Sequence, residues 1–172
     1  HDASTLAHEI GHYYASIVNS SLYNYDLKET HSQGNEALLT NYCKEFMPKA
    51  VYDAVRAHQI YTLCYSIIMA SLVDEFEERV YSLPSVENMT VDDFTEIMEE
   101  ISKPYGGADL VEHIFGYNPD TYWKLTAINN PVYYISYAVS ASAALQIFAI
   151  AEQDYDAAIR TYTSLIEETY WN

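Results

Sequence analysis

At 172 residues and 49% apolar content, the chain can bury one sizeable core, and its five glycines and five prolines are too few for the many turns of an all-β protein. Twenty-five acidic side chains against eight basic ones give a net charge of −17, a field that repels phosphate backbones and anionic membranes and argues against nucleic acid as a partner.

Helical periodicity runs through the chain and predicts an all-α, multi-helix fold forming one domain over residues 1–172. A first helix is expected from Ser4 to about Asn19, then a polar connector to Asp26 and a second helix reaching about Phe46. Pro48 marks a break or the first turn of a third helix, Lys49 to Tyr81. The middle of that helix, Ile60 to Val73, is apolar on nearly every face, which predicts burial all round. Leu83-Pro84-Ser85 ends it. Thr90-Val91-Asp92-Asp93 reads as a capping box opening a fourth helix to Ser102. Lys103 to Gly107 reads as loop, followed by a short helix from Ala108 to Phe115 and another opening at Asn118-Pro119. Asn130-Pro131 gives a cap with proline at the first helical position of a serine- and alanine-rich helix. Gln153 to Asp156 should break that helix before a final one ending at Tyr170. Val132 to Ala151 holds no charge, but its serines, tyrosines and small residues, without a flanking basic cluster, predict a packed helix and no membrane span.

Cys43 and Cys64 lack C-x-x-C spacing and sit in apolar helical surroundings. They read as buried free thiols in a reducing, cytoplasmic compartment.

The chemistry concentrates near the start of the chain. His8-Glu9-x-x-His12 places two imidazoles one turn apart on one helix face, a spacing that lets both reach a single zinc ion. Glu9, beside the first histidine, can reach a zinc-activated water as general base without ligating the metal. Gly11 keeps one side of the helix bare for a close approach of metal or substrate. A third ligand is needed, and Glu29 and Glu36 offer it. Seven residues apart, they share a helix face, and spacing does not choose between them; the other would support a ligand imidazole. His31 lies about 200° round the helix from Glu29 and is the poorer candidate.

Thr5-Leu6-Ala7-His8-Glu9-Ile10-Gly11-His12, followed by Glu29-Thr30-His31-Ser32-Gln33-Gly34-Asn35-Glu36, resembles the thimet oligopeptidase and oligoendopeptidase F family of metallopeptidases. The resemblance implies one zinc ion held by His8, His12 and Glu29, with Glu36 supporting a ligand, and hydrolysis of short unfolded peptides. It also covers Asn130-Pro131-Val132-Tyr133-Tyr134-Ile135-Ser136-Tyr137. There it implies that Tyr137 and Tyr134 face the zinc and stabilise the oxyanion, with Tyr133 as runner-up. Thr126 stands where many relatives carry a histidine that helps bind the transition state. His113 offers a substitute for it but reads better as a surface histidine near a helix C-terminus, and His58 reads as a packed or surface residue.

The expectation is thus a zinc-dependent endopeptidase, with peptides as substrates. The chain, opening on His1, is expected to be the catalytic portion of a longer peptidase whose upstream part is a further partner. The alternatives are a non-catalytic relative that binds zinc or peptides, and a helical fragment with a structural zinc.

Overall fold

In a computed structural model of the chain, the described residues are 3–19, 25–107 and 122–167, and every regular element among them is helical. Helix α1 spans Ala3–Val18, α2 Tyr25–Tyr42, α3 Lys49–Tyr81, α4 Val91–Ser102, α5 Ile135–Gln153 and α6 Tyr155–Glu167. The all-α expectation holds. The expected helices at Ala108–Phe115 and from Asn118-Pro119, His113, and the last residues to Tyr170 lie outside the described residues.

Local chemistry accounts for several of the ends. Helix α2 tightens into a 3-10 turn over Cys43–Glu45 before Pro48. The Thr90 hydroxyl accepts from the Asp93 N–H, and the Asp93 carboxylate accepts from the Thr90 N–H. This is the reciprocal cap expected for α4. Asp154 alone separates α5 from α6; its carboxylate accepts from the Ala157 N–H, satisfying a donor that the new helix leaves open.

The chain divides into two compact units, His1–Ile67 with Val139–Asn172, and Ile68–Ala138, the boundaries falling inside α3 and α5. In the first, α1 packs along α2, and α6 lies against both. Its core gathers Ala15, Leu38, Ile147, Ala158, Tyr162 and Ile166. By length and composition α5 could cross a membrane, yet Ala144, Ile147 and Ala151 on it are buried in helix packing. In the second unit, Trp123 packs between Phe76 and Phe94, with ring centroids 5.9 and 5.2 Å away, and its indole N–H donates to Thr95 Oγ1.

Four expectations need correction. The serine- and alanine-rich helix begins at Ile135, four residues after Pro131. Val132 adopts a left-handed φ of 59°, which a helix cannot contain, and its N–H donates instead to Glu77 Oε1 at 2.8 Å. Tyr134 therefore precedes the helix and does not share a helical face with Tyr137. The middle of α3 is not buried all round: Tyr61 and Ile68 are exposed. Cys64 is exposed too, leaving Cys43 as the buried thiol, its pKa raised by burial. Lys103–Tyr105 forms a 3-10 turn closed by Gly106 and Gly107, both at positive φ, where plain loop was expected.

Candidate metal centre

Helix α1 carries His8 and His12 on one face, their ring centroids 4.8 Å apart and their planes nearly perpendicular. Helix α2 runs beside it and turns Glu29 and Glu36 toward the two rings. Glu29 Oε2 stands 3.7 Å from His8 Nε2 and 3.7 Å from His12 Nε2. Glu36 Oε1 lies 2.7 Å from the other nitrogen of His8, Nδ1. Nδ1 is thus the nitrogen that faces Glu36, and Nε2 is the one left on the Glu29 side. The two glutamates that spacing left equivalent thus occupy different places. Glu29 converges on both imidazoles, and Glu36 orients one from behind.

Further contacts hold these groups. The Ser4 hydroxyl donates to Glu36 Oε2 at 2.6 Å, fixing the carboxylate that fixes His8. The Ser32 hydroxyl lies 3.1 Å from Glu29 Oε2. The Asn35 amide donates to the Ala7 carbonyl at 2.7 Å, tying the two helices beside the first histidine. Gly11 serves this packing. A Cβ there would sit 2.5 Å from the His31 carbonyl oxygen and 2.8 Å from Ser32 Cα, so the bare face of α1 admits the backbone of α2, not a metal or substrate.

The donor set suits a metal ion. One ligand atom from each of His8, His12 and Glu29 lies within 4.8 Å of the other two. A tetrahedral ion with bonds of about 2.0–2.2 Å would set its ligand atoms roughly 3.3–3.6 Å apart, close to the 3.7 Å between Glu29 Oε2 and each histidine Nε2. Two imidazoles and a carboxylate are the ligands zinc takes in catalytic sites, which leave a fourth position open.

Electrostatics divides the histidines. The hydrogen bond to Glu36 holds the His8 pKa above its ordinary value, against the opposing effect of burial. Burial is the main cause of the lowered His12 pKa. His31 is fully buried, with neither ring nitrogen hydrogen-bonded, and burial pushes its pKa down to about 4. Its ring packs edge-on against Tyr162, 6.0 Å between centroids, and the convergent group of His8, His12 and Glu29 does not include it. Glu9 lies exposed beside His8 on α1.

Comparison with protein-family models, with curated proteins and with solved structures finds no match.

Tyr133, Tyr134, Tyr137 and Thr126 belong to the second unit. The Tyr137 and Tyr133 hydroxyls are 3.2 Å apart, and the Tyr134 ring lies 5.7 Å from that of Tyr137. All three side chains are half-buried. Thr126 is buried in a one-turn π-helix, Lys124–Ile128, with its hydroxyl donating to the Tyr122 carbonyl. Ser4 and Gln59 were not foreseen. With Thr5, Glu36 and the exposed His58, they line a polar recess of about 300 Å³ against His8. One signal for Ser4 was available: it stands four residues before His8, one turn back on the same face.

Proposed function

We propose that this chain carries the metal centre of a zinc-dependent endopeptidase, as its resemblance to the thimet oligopeptidase and oligoendopeptidase F family implies. The observation that carries the reading is the convergence of Glu29 Oε2 on both histidine Nε2 atoms while Glu36 takes His8 Nδ1. A structural site has no use for a carboxylate beside its ligands, whereas Glu9 supplies one.

His8, His12 and Glu29 would hold the ion. When bound, zinc supplies Lewis-acid polarisation of a carbonyl and acidifies water. The Glu9 carboxylate takes a proton from the attacking water and later delivers it to the leaving amine. The Glu36 carboxylate keeps the His8 proton on Nδ1 and the ring in place, with Ser4 holding Glu36. The resemblance assigns the oxyanion-donor role to the Tyr137 hydroxyl, with Tyr134 beside it.

The test is metal content followed by cleavage. The protein is loaded with one equivalent of zinc and incubated with a mixture of short peptides, and products are read by mass spectrometry with and without chelator. Chelator-sensitive cleavage is expected. Tight zinc binding without cleavage would replace this reading with a non-catalytic one, and failure to bind zinc would remove both.

A further inference from the structure

The second unit holds a cavity that the metal chemistry does not use. It measures about 390 Å³ and lies between the C-terminal part of α3, the start of α4 and the π-turn. Phe76, Val80, Met89, Phe94 and Trp123 give it apolar and aromatic walls, and among the described residues the only acidic group on those walls is Glu77.

Glu77 is unusual for a buried carboxylate. Only 5% of it is exposed. Among the described residues its one hydrogen bond comes from the Val132 N–H to Oε1, and no lysine, arginine or histidine pairs with it. Buried carboxylates are ordinarily paired, because desolvating an uncompensated charge is costly. The cavity supplies what the protein leaves out: room for a cation beside an anion, walls for an apolar stem, and aromatic faces that attract positive charge. Trp123 already carries one ammonium, with Lys124 Nζ 5.3 Å from its ring centroid.

We propose that this cavity binds an organic cation, an amine or guanidinium on an apolar stem, with the charge against Glu77 and the stem among Phe76, Phe94 and Trp123. The strongly acidic chain favours the approach of such ligands. Free alkyl cations and the lysine or arginine side chains of a peptide share this chemistry.

Calorimetry and tryptophan fluorescence on the whole chain can test it with isosteric probes, n-butylguanidinium and neutral n-butylurea. The guanidinium should bind at least about tenfold more tightly, as one retained charge contact requires. Glu77→Gln should erase that preference. Glutamine can still accept from the Val132 N–H, so the turn is kept, and circular dichroism checks it. Ile128→Trp, at the exposed rim, blocks the cavity without touching Glu77 and should weaken the guanidinium as well. An acetylated, amidated Ala-Arg-Ala peptide and its citrulline counterpart separate the sources. A tighter arginine peptide assigns the cavity to side chains, and a tighter butylguanidinium assigns it to free cations. Equal binding of the charged and neutral probes, no binding at all, or a preference that survives Glu77→Gln overturns the proposal. None of these outcomes depends on zinc or on peptide cleavage.

Discussion

Nδ1 of His8 lies 2.7 Å from the carboxylate of Glu36, one helix away, and this contact decides which face of the imidazole is left for a ligand role. Losing such a support typically costs about 10–100-fold in metal affinity. Glu36→Gln should therefore weaken zinc binding by about that factor in a calorimetric titration, while Glu29→Gln weakens it more. The reverse order would exchange the roles of the two glutamates.

Glu9 is exposed and outside the ligand group, so Glu9→Gln should leave zinc affinity nearly unchanged. Peptide cleavage by the same protein should fall by about 10²–10⁴-fold, the contribution usual for a positioned proton-transfer group. Equal losses of binding and cleavage would show that Glu9 acts through the metal ligands.

If Tyr137 has the oxyanion-donor role that the family resemblance implies, Tyr137→Phe should lower kcat by about 10²–10³-fold with little change in KM. Tyr133→Phe, which deletes only the hydroxyl 3.2 Å from that of Tyr137, should cost less. Steady-state kinetics on both variants checks the order. A Tyr137→Phe protein with unaltered kcat would place that hydroxyl in packing alone.

Gly11→Ala sets two effects against each other. Alanine favours the helix by about 1 kcal/mol. The new Cβ, however, would meet the His31 carbonyl at 2.5 Å, and backbone cannot swing aside as a flexible side chain would. Overpacking of this kind costs about 1–3 kcal/mol, so net destabilisation is expected in thermal melts, accompanied by weaker zinc binding.

Burial, with Asp74 adding to it, raises the Glu77 pKa above its ordinary 4.5, although the Val132 N–H works the other way. The folded protein then holds this proton more tightly than the unfolded chain does. Its contribution to stability is present below pH 4.5 and is lost as pH rises through the raised folded value. Glu77→Gln should melt higher than the wild type at pH 7, with the difference shrinking toward pH 4. A variant that melts lower at pH 7 would mean that the charge itself supports the turn at Val132.

Punctuation carried much of this fold in the sequence. Pro48 and Leu83-Pro84 bracket α3, Thr90 caps α4 and Asp154 separates the last two helices, because each acts through its own backbone neighbours. The four-residue step from His8 to His12 and the seven-residue step from Glu29 to Glu36 were legible for the same reason. What could not be read depended on distant partners. Val132 turns left-handed where Glu77, fifty-five residues earlier, receives its N–H. The reason for Gly11 is the backbone of α2, and the difference between Glu29 and Glu36 lies in where the His8 ring stands between them. The π-turn at Lys124–Ile128 leaves no mark in apolar periodicity, since one wide turn is too short to shift it.

The contact at Gly11 also sets a floor under the histidine–glutamate group. Two backbones meet one residue before His12, so the closest approach of α1 and α2 there is fixed by atoms that cannot shrink or rotate away. It is left to the side chains, not the helices, to close in on an ion, from the 3.7 Å that separates Glu29 Oε2 from each imidazole Nε2. Such a donor set suits an ion that takes nitrogen at about 2.0–2.1 Å. Calcium, which wants six to eight oxygens at about 2.3–2.6 Å, finds one carboxylate and two imidazoles here.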